Sequence, residues 1–369
     1  MKKIAYIVRS PKFARVICAM PKIDNTEQVV FYLNNPKTRA VMSSYKFSLD
    51  KFVFFYNSGH DIELINKLKV FQPDIIVQTK FVYVRKWRKY IKGAKFVYLF
   101  HGFLGKSDAR IHGGQIENKR RIYGGFDLYC CGAEMFKKRI DSVTDSANVV
   151  TNALPQLDML YNYNDAYVST NIDQKTILLV CSAFVREQDP KEFLSILMKL
   201  FGISRRKQYK LIVKTRFNVG LKEIYERIYD NDEPVTREEE QNFSRIDKVM
   251  SDENISVVND GYYIYPLIAS ADLVIVHGLT SVEVEAALIN KPLIVVNNNP
   301  NTYDEFGVTR FGACIRCRDA DDIEEDVIDH MIFNKDCLAA NQRNFAKHLG
   351  VTVDGYASAR ASSAIEKLL

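Results

Sequence analysis

The chain has 369 residues, 47% hydrophobic and 26% charged, with a formal net charge of +6. This length exceeds one ordinary core and predicts two domains, while the mild positive charge favours an anionic partner without naming one. No run of 18 apolar residues is present, so no membrane-spanning helix is expected, and no helix-turn-helix, zinc-finger or RNP pattern indicates nucleic acid.

The start of the chain and its cysteines predict the compartment. Met1–Val8 begins like a signal peptide, but its apolar run is short and Arg9 interrupts it, so we predict a buried first strand. Seven cysteines without a secretion signal favour a reducing, cytoplasmic location, with the inner face of the membrane as a further option. Cys314 and Cys317 form a lone CxxC without a second pair, so we expect packing thiols and no metal.

Apolar runs alternate with amphipathic stretches along the chain, the pattern of βα units around a parallel sheet. The alternation breaks at Pro155, and a polar segment follows at Tyr161–Gln174, so residues 1–155 are predicted to form the first domain. In this half, strands are predicted at Ile4–Val8, Phe52–Tyr56, Asp74–Gln78, Phe96–Phe100 and Leu128–Cys131, and helices at Asp61–Val70 and Ala133–Ile140.

The alternation restarts in residues 156–350, the predicted second domain. A last helical pattern, Ala357–Leu369 within residues 351–369, is expected to pack back on the first domain. Strands are predicted at Thr176–Cys181, Lys210–Lys214, Ile255–Val258, Leu273–Val276 and Pro292–Val296, and helices at Pro190–Leu200, Leu221–Tyr229, Tyr263–Ser270 and Ser281–Ile289.

Two βα domains in series predict an α/β fold with two nucleotide-fold halves facing across a cleft. Ligands of open parallel sheets bind beyond the carboxyl ends of the strands, so the residues directly after predicted strands are the candidates for chemistry. Asp74, Asp127 and Asp272 instead precede strands, which is typical of turn residues rather than catalytic acids.

One candidate follows the strand Phe96–Phe100, where the chain reads His101-Gly102 and then reaches Lys106. An imidazole accepts a proton near neutral pH and suits a general base, glycine permits close approach of a ligand, and a lysine can meet phosphate. The alternative is a histidine at a strand end that is satisfied by a backbone carbonyl.

A second candidate runs from His277-Gly278 through Thr280 and Ser281 to Glu285. A strand ends at the histidine, and the two hydroxyl residues are predicted to cap a helix whose N-terminus can bind phosphate. Glu285 follows Ser281 by one turn on the same face, where it could accept hydrogen bonds from ribose hydroxyls. The alternative is an ordinary capped helix with surface glutamates.

Basic residues form two further candidates. Lys214 and Arg216 follow the strand Lys210–Lys214 and could neutralise a pyrophosphate, or they are a surface basic pair. The stretch Lys80–Lys95 interleaves seven basic residues with aromatic ones and carries no acid, so a helix there could dock on an anionic membrane. Nucleic-acid binding or a solvated face are the alternatives for that stretch.

The order of several segments resembles the CDP-glycerol glycerophosphotransferases of teichoic-acid and capsule synthesis. The resemblance runs, with gaps, from about Pro73 to Val296. Its segments are Pro73-Asp74-Ile75-Ile76-Val77, the strand ending at His101-Gly102 with Lys106, Phe126-Asp127 leading to Gly132, Leu154-Pro155-Gln156-Leu157-Asp158, and Ala271-Asp272 through Ser281-Val282 and Glu285 to Lys291-Pro292.

The resemblance implies the GT-B fold, His101 as the catalytic base, and a donor nucleotide with its phosphates at Asp272 to Glu285. The chain departs from the family pattern at two places, and a CMP- or UDP-linked sugar donor would fit the same scaffold. The family's second histidine, in a Lys-x-His-Pro-like sequence, is missing where this chain reads Lys214-Thr215-Arg216-Phe217, and the family's Asp-Tyr-Ser-Ser reads His277-Gly278-Leu279-Thr280-Ser281.

Three functions remain open. The first is transfer of a glycerophosphate-like group or a sugar from a nucleotide-activated donor, with CDP-glycerol favoured over CMP- or UDP-sugars. The acceptor would be a hydroxyl of a glycan or lipid-linked precursor, and no cofactor or metal is expected because basic side chains and the helix N-terminus can carry the phosphate charge. The second is a UDP-sugar 2-epimerase, and the third is a non-catalytic nucleotide or glycan binder.

Overall fold

The computed structural model describes residues 1–44, 51–56, 61–79, 84–100, 102, 125–141, 144, 148–168, 174–181, 190–215, 249, 251–258, 264–278, 280–297, 304 and 306–369. The chain forms two compact units. Unit 1 is Met1–Asn162 with Leu349–Leu369, and unit 2 is Tyr163–His348.

Unit 1 is built on a parallel sheet. Among its described residues the strand order is β3-β2-β1-β4-β5-β6-β7, and neighbouring strands are parallel. The elements are β1 Lys2–Val8, α1 Pro11–Cys18, β2 Thr26–Leu33, α2 Pro36–Ser44, β3 Lys51–Phe55, α3 Ile62–Phe71, β4 Ile75–Gln78, α4 Val84–Trp87, β5 Lys95–Leu99, β6 Leu128–Cys130, α5 Glu134–Asp141, β7 Asn148–Val150 and α6 Gln156–Val168, of which the residues from Tyr163 onwards belong to unit 2.

Unit 2 repeats this design. Its described strands are ordered β10-β9-β8-β11-β12-β13 and are again parallel. The elements are β8 Thr176–Cys181, α7 Pro190–Lys207, β9 Lys210–Lys214, β10 Ile255–Val258, α8 Ile264–Ser270, β11 Leu273–His277, α9 Val282–Leu288, β12 Leu293–Val296, β13 Ile315–Cys317, α10 Glu325–Phe333 and α11 Ala339–Leu349, followed by α12 Ala357–Glu366, which belongs to unit 1.

The predicted α/β class with two parallel-sheet, Rossmann-like domains is confirmed. The central strands are buried throughout because helices cover both faces of a parallel sheet, which is why they read as continuous apolar runs. In unit 2 the helices α7 and α10 supply Phe193, Leu197, Ile328 and Ile332 to the core over these strands. The predicted helix at Leu221–Tyr229 lies outside the described residues.

The three aspartates that precede strands share one structural role. Asp74, Asp127 and Asp272 lie before β4, β6 and β11, and each carboxylate accepts a backbone N–H near the start of the neighbouring strand, at 2.8, 2.7 and 3.0 Å. Each aspartate therefore fixes the register of two parallel strands at their amino ends. This agrees with their interpretation as turn residues and leaves the opposite edges of the sheets for ligands.

Two of these carboxyls have pKa values below the usual range. Burial raises the pKa of Asp272, but the Lys335 ammonium and the Thr176 N–H outweigh it and lower the pKa overall. For Asp74, burial is likewise outweighed by the Lys3 N–H and the Lys2 ammonium. Both carboxylates are thus stabilised in the charged form that these hydrogen bonds require.

The C-terminal helix α12 is fastened to unit 1 by the segment that precedes and opens α6. The buried Asp158 carboxylate accepts the N–H groups of Ala357 and Ser358, at 2.6 and 2.8 Å, and the Ser358 hydroxyl. Arg360 donates to the backbone carbonyl of Asn152 at 2.7 Å. The segment Leu154 to Asp158, named above for its family resemblance, therefore supplies the N-terminal cap of a helix 200 residues away.

The cysteines are free thiols. Burial raises the pKa of Cys314 to about 12 and that of Cys317 to about 11, so both are protonated at neutral pH and weakly nucleophilic. In the described part of the chain, no three His, Cys, Asp or Glu side chains are grouped as a metal site would require. No helix among the described residues combines the length and apolar character needed to cross a membrane.

Candidate functional site

In the sheet of unit 2, the order in which the chain adds strands reverses at the centre. From β8 the chain adds β9 and β10 on one side and β11 to β13 on the other, so the carboxyl ends of β8 and β11 form the topological switch point. Ligands of open α/β sheets bind at such points. The register pairs His277 with Cys181, and Val180 with both Val276 and Lys214. The predicted residues Lys214 and His277 therefore lie at the same edge of the sheet, two strand spacings or about 10 Å apart.

The turn after β11 requires a glycine. Gly278 has φ of 72°, in the left-handed region that side chains with a Cβ rarely adopt. Its N–H donates to the Val296 carbonyl at 2.8 Å, which keeps the turn on the neighbouring strand β12. The glycine predicted from sequence is thus a backbone requirement of the turn that leads into α9.

The cap of α9 differs from the prediction. Ser281 occupies the N-cap position but makes no capping hydrogen bond with its side chain. Instead the Thr280 hydroxyl accepts the Val282 N–H at 3.4 Å, so the prediction that both hydroxyls cap the helix is wrong for Ser281. The Ser281 hydroxyl is oriented towards Glu285 because that acceptor lies one turn ahead on the same face.

Glu285 is the most informative residue of this segment. Its Oε1 accepts the Ser281 hydroxyl at 3.3 Å, and the residue is only 6% exposed. All residues of α9 are buried, including Glu283, so the alternative of an ordinary helix with surface glutamates is wrong. Glu285 lies in the first turn of α9, the helix that follows the switch-point strand β11, where ligands of open α/β sheets bind.

His277 is held inside unit 2 by a residue that sequence analysis missed. Its Nε2 lies 3.1 Å from Oε2 of Glu192, in the first turn of α7, and its ring packs 5.9 Å from that of Phe193. The Nδ1 atom has no hydrogen-bond partner in the described part of the chain. The only signal in the sequence for Glu192 is its place in the helix that follows β8.

Lys214 is buried at the end of β9, and its Nζ donates to the Thr215 carbonyl at 2.7 Å. The alternative that it belongs to a surface basic pair is therefore wrong for Lys214. Its predicted partner Arg216 lies outside the described residues. A lysine ammonium close to the switch point gives this edge of unit 2 a positive charge that suits phosphate.

In unit 1 the structure describes only part of the predicted site. His101 and Lys106 lie outside the described residues, whereas Gly102, shortly after β5, is described. No described atom lies within 4 Å of a Cβ built on Gly102, and its φ is outside the left-handed region. Among the described residues, therefore, neither a neighbour nor the local backbone requires glycine there.

In the described part of the basic stretch Lys80–Lys95, the helix is shorter than predicted. Residues 80–83 lie outside the described part, and the helix α4 has a single turn. Trp87 is buried, and Arg88 donates to Asp127 at 2.6 Å and to the Gly125 carbonyl at 2.8 Å. The exposed basic and aromatic residues of the described part are Arg85, Lys89, Tyr90, Lys92 and Lys95.

Comparison with known proteins finds solved structures with a similar fold. No family model and no curated protein sequence matches the chain. The S. aureus MnaA–UDP structure has a TM-score of 0.64 and 14% identity, covering 100% of this chain and 96% of its own. The chain has the GT-B type of fold.

Two further structures have the same fold. UDP-GlcNAc 2-epimerase from Neisseria meningitidis, bound to UDP-GlcNAc, has a TM-score of 0.59 and 13% identity over 99% of both chains. The wall teichoic acid polymerase TagF has a TM-score of 0.63 and 13% identity over 99% of this chain and 89% of its own. At these identities the likeness establishes the fold, and activity has to be argued from the site.

The fold explains much of the family resemblance in the sequence. Asp74, Asp127 and Asp272 fix neighbouring strands, and Asp158 caps α12. The Lys291 ammonium donates to the carbonyls of the residues that end α8 and precede β11. Most of the shared segments therefore specify the fold, and the Ser281 to Glu285 segment is the described part that points to a ligand.

Proposed function

We propose that the chain is a transferase that binds a nucleotide-activated donor on unit 2. It moves a glycerophosphate-like group or a sugar to a hydroxyl of a cell-surface glycan or teichoic-acid precursor. One observation supports the proposal: the buried Glu285 carboxylate, hydrogen-bonded to Ser281, lies in the first turn of the helix that follows the switch-point strand β11. A carboxylate at this place accepts hydrogen bonds from ribose hydroxyls.

The neighbouring residues support a bound nucleotide diphosphate. Lys214, together with Arg216, would meet the phosphates, and Thr280 would hold the turn that faces them. The buried His277–Glu192 pair fixes β11 against α7 and is assigned a positioning role. These basic groups stabilise negative charge on the leaving phosphate, so the mechanism calls for no metal.

His101 is proposed as the general base, with Gly102 and Lys106 beside it on the acceptor side. The acceptor hydroxyl gives its proton to the imidazole as its oxygen attacks the β-phosphorus of CDP-glycerol. The bond from that phosphorus to the bridging oxygen breaks, and CMP leaves. With a sugar donor the attack is on the anomeric carbon and the nucleotide leaves with the glycosidic oxygen. Base catalysis of this kind contributes about 10²–10⁴ in rate.

The choice of CDP-glycerol rests on the resemblance in sequence and on one structural neighbour. A TagF variant structure was soaked with CDPG, whereas other neighbours were solved with UDP or UDP-GlcNAc. Both groups of ligands are pyrimidine nucleotides. We therefore propose a pyrimidine nucleotide as the donor carrier, with CDP-glycerol first and a CMP- or UDP-sugar second.

A UDP-sugar 2-epimerase is the second candidate, favoured by the UDP-GlcNAc 2-epimerase structure whose fold matches over 99% of the length of both chains. Incubating the protein with UDP-GlcNAc alone separates the two, because an epimerase needs no acceptor. Formation of the 2-epimer under these conditions contradicts the transferase. A non-catalytic binder would bind nucleotide and turn over neither donor.

The donor site is tested by thermal-shift and calorimetric titration with CMP, CDP, UDP and their conjugates, since a ligand that binds the native state raises its melting temperature. Glu285→Gln removes charge-assisted hydrogen bonds and should weaken the preferred nucleotide about 10- to 150-fold. Glu283→Gln is the matched control, on the same helix with equal burial, and should bind within about threefold of wild type. Equal affinities of the two variants would refute the donor site.

His101→Ala tests the base independently of the donor site. The variant should bind nucleotide as the wild type does while transfer slows by about 10²–10⁴. Full transferase activity in this variant would remove the base assignment and leave the nucleotide site standing.

Contact with an anionic membrane is proposed through the exposed basic residues of the Lys80–Lys95 stretch. These are Arg85, Lys89, Lys92 and Lys95, with Tyr90 beside them. Each basic residue close to an anionic surface contributes about 1 kcal/mol, so a cluster of this size supports weak, reversible binding.

A further inference from the structure

Unit 1 has a topological switch point of its own. Its chain runs from β1 to β2 and β3 on one side and to β4 through β7 on the other, so β1 and β4 are the central pair. The register pairs Ile7 with Gln78 at the carboxyl ends of these strands. Arg9 and Ser10 follow β1, and Thr79 follows β4, so four polar residues meet at one edge of the sheet.

Several side-chain atoms of these four residues are buried and have no hydrogen-bond partner in the described part of the chain. Gln78 and Thr79 are 1% and 0% exposed. Within the described part of the chain, six of their atoms have no hydrogen-bond partner, namely both side-chain polar atoms of Gln78, the hydroxyls of Ser10 and Thr79, and Nε and Nη2 of Arg9. An unsatisfied buried polar group lowers the stability of the fold by about 1–3 kcal/mol, so a cluster of six such atoms calls for an explanation.

The guanidinium of Arg9 is already oriented. Its Nη1 donates to Oδ1 of Asp61 at 2.7 Å, and its centre lies 5.7 and 5.4 Å from the ring centroids of the buried Phe55 and Trp87. These contacts restrain the plane of the group and use one of its two terminal nitrogens. The remaining edge, Nε with Nη2, is the fork that binds two oxygens of a carboxylate or a phosphate side by side.

We propose that the carboxyl ends of β1 and β4 form a binding site for a small oxyanion, a phosphate or carboxylate group of a ligand. The Nε–Nη2 edge of Arg9 binds two oxygens of that group. The amide of Gln78, which can both donate and accept, and the hydroxyls of Ser10 and Thr79 bind hydroxyls of the same ligand. This site lies in unit 1, and its residues are separate from those assigned to the nucleotide in unit 2, so the two proposals stand or fall independently.

The test uses the full chain with inorganic phosphate and with malonate, titrated against chloride at constant ionic strength. Saturable binding should raise the melting temperature. The anion that binds with the higher affinity shows whether the site prefers a phosphate or a carboxylate group. Hydrogen–deuterium exchange should place the protection in residues 4–18 and 75–79. If water alone satisfies these side chains, neither anion will give a saturable response up to about 50 mM, and the proposal is overturned. Even a site with a dissociation constant of a few millimolar is filled at about this concentration.

Four variants locate the binding. Arg9→Gln should weaken the preferred anion about 10- to 100-fold, with Arg9→Lys, which keeps the charge and loses the fork, in between. Arg88→Gln is the matched control in the same unit, since its guanidinium is already held by Asp127 and Gly125, and it should bind as the wild type does. Unchanged binding in a folded Arg9→Gln protein would overturn the proposal.

Gln78→Leu covers the case in which Arg9→Gln does not fold. Removing a buried amide that has no partner should leave the melting temperature equal or higher without anion, because no hydrogen bond is lost. The same variant should lose several-fold in anion affinity, a combination that a purely structural glutamine would not produce. A lower melting temperature with unchanged anion affinity would contradict the proposal.

Discussion

Replacing Asp158 by alanine removes the cap that fastens α12 to unit 1. The carboxylate accepts two backbone N–H groups and one hydroxyl, all buried, from Ala357 and Ser358. Tyr356, the N-cap residue of α12, makes no side-chain capping bond of its own, so no local group replaces the lost acceptor. The first turn of the helix would be left with unsatisfied donors.

The magnitude follows from these contacts. A hydrogen bond to a charged group contributes about 1.5–3 kcal/mol, and three of them with partial entry of water give a loss of about 3–5 kcal/mol for Asp158→Ala. For a unit of this size that is a fall of about 6–20 °C in melting temperature. Asp158→Asn should lose about half as much, since its amide oxygen still accepts while its NH₂ faces donors.

Scanning calorimetry measures the effect, and hydrogen exchange of residues 349–369 localises it. Asp354→Asn is the matched control, since that carboxylate pairs with Arg360 in the same segment but is one-third exposed. An ion pair of this kind contributes about 0–1 kcal/mol. Nucleotide affinity on unit 2 should be unchanged in both variants. A loss in Asp158→Ala no greater than in Asp354→Asn would refute the capping role.

Three other perturbations have defined outcomes. Burial lowers the pKa of Lys291 to about 8 in the folded chain, so between pH 8 and 10.5 the unfolded chain binds more protons than the folded chain does. The melting temperature of the wild type, measured relative to that of Lys291→Met, should therefore rise from pH 7.5 to 9.5. A difference in melting temperature that stays constant over this range would contradict the prediction. Gly278→Ala should cost about 1–2 kcal/mol because its φ is 72°, whereas Gly102→Ala should unfold at the wild-type temperature, as seen by calorimetry. Neutralising Arg85 and Lys89 should reduce sedimentation with anionic liposomes relative to neutral ones, and equal sedimentation would remove the membrane proposal.

Much of the architecture was predictable because it depends on local patterns. The strands β8, β9 and β10 have the predicted bounds, because apolar runs of this length between polar breaks favour strands. The strands β8 and β9 are largely buried, whereas β10, at the edge of the described sheet, is half-buried. The strands β7 and β13 were missed because three-residue edge strands carry too little apolar pattern to be distinguished from loops. The strand β2 was missed although Val29–Leu33 is an apolar run like the others.

In the candidate site, too, some contacts follow from local sequence patterns and others depend on the tertiary structure. The approach of Ser281 to Glu285 follows from the sequence alone, because residues four apart on a helix share a face. The burial of that helix, the pairing of Glu192 with His277 and the cap that Asp158 gives to α12 were decided by the tertiary structure. Local spacing determines which side chains are neighbours within one element, whereas contacts between residues 85 or 200 positions apart depend on how the sheets and helices pack. The placement of Arg9 and Gln78 at one edge of the sheet, with no partner for the Nε–Nη2 edge of Arg9 among the described residues, belongs to the second kind, because only the folded sheet brings the ends of β1 and β4 together.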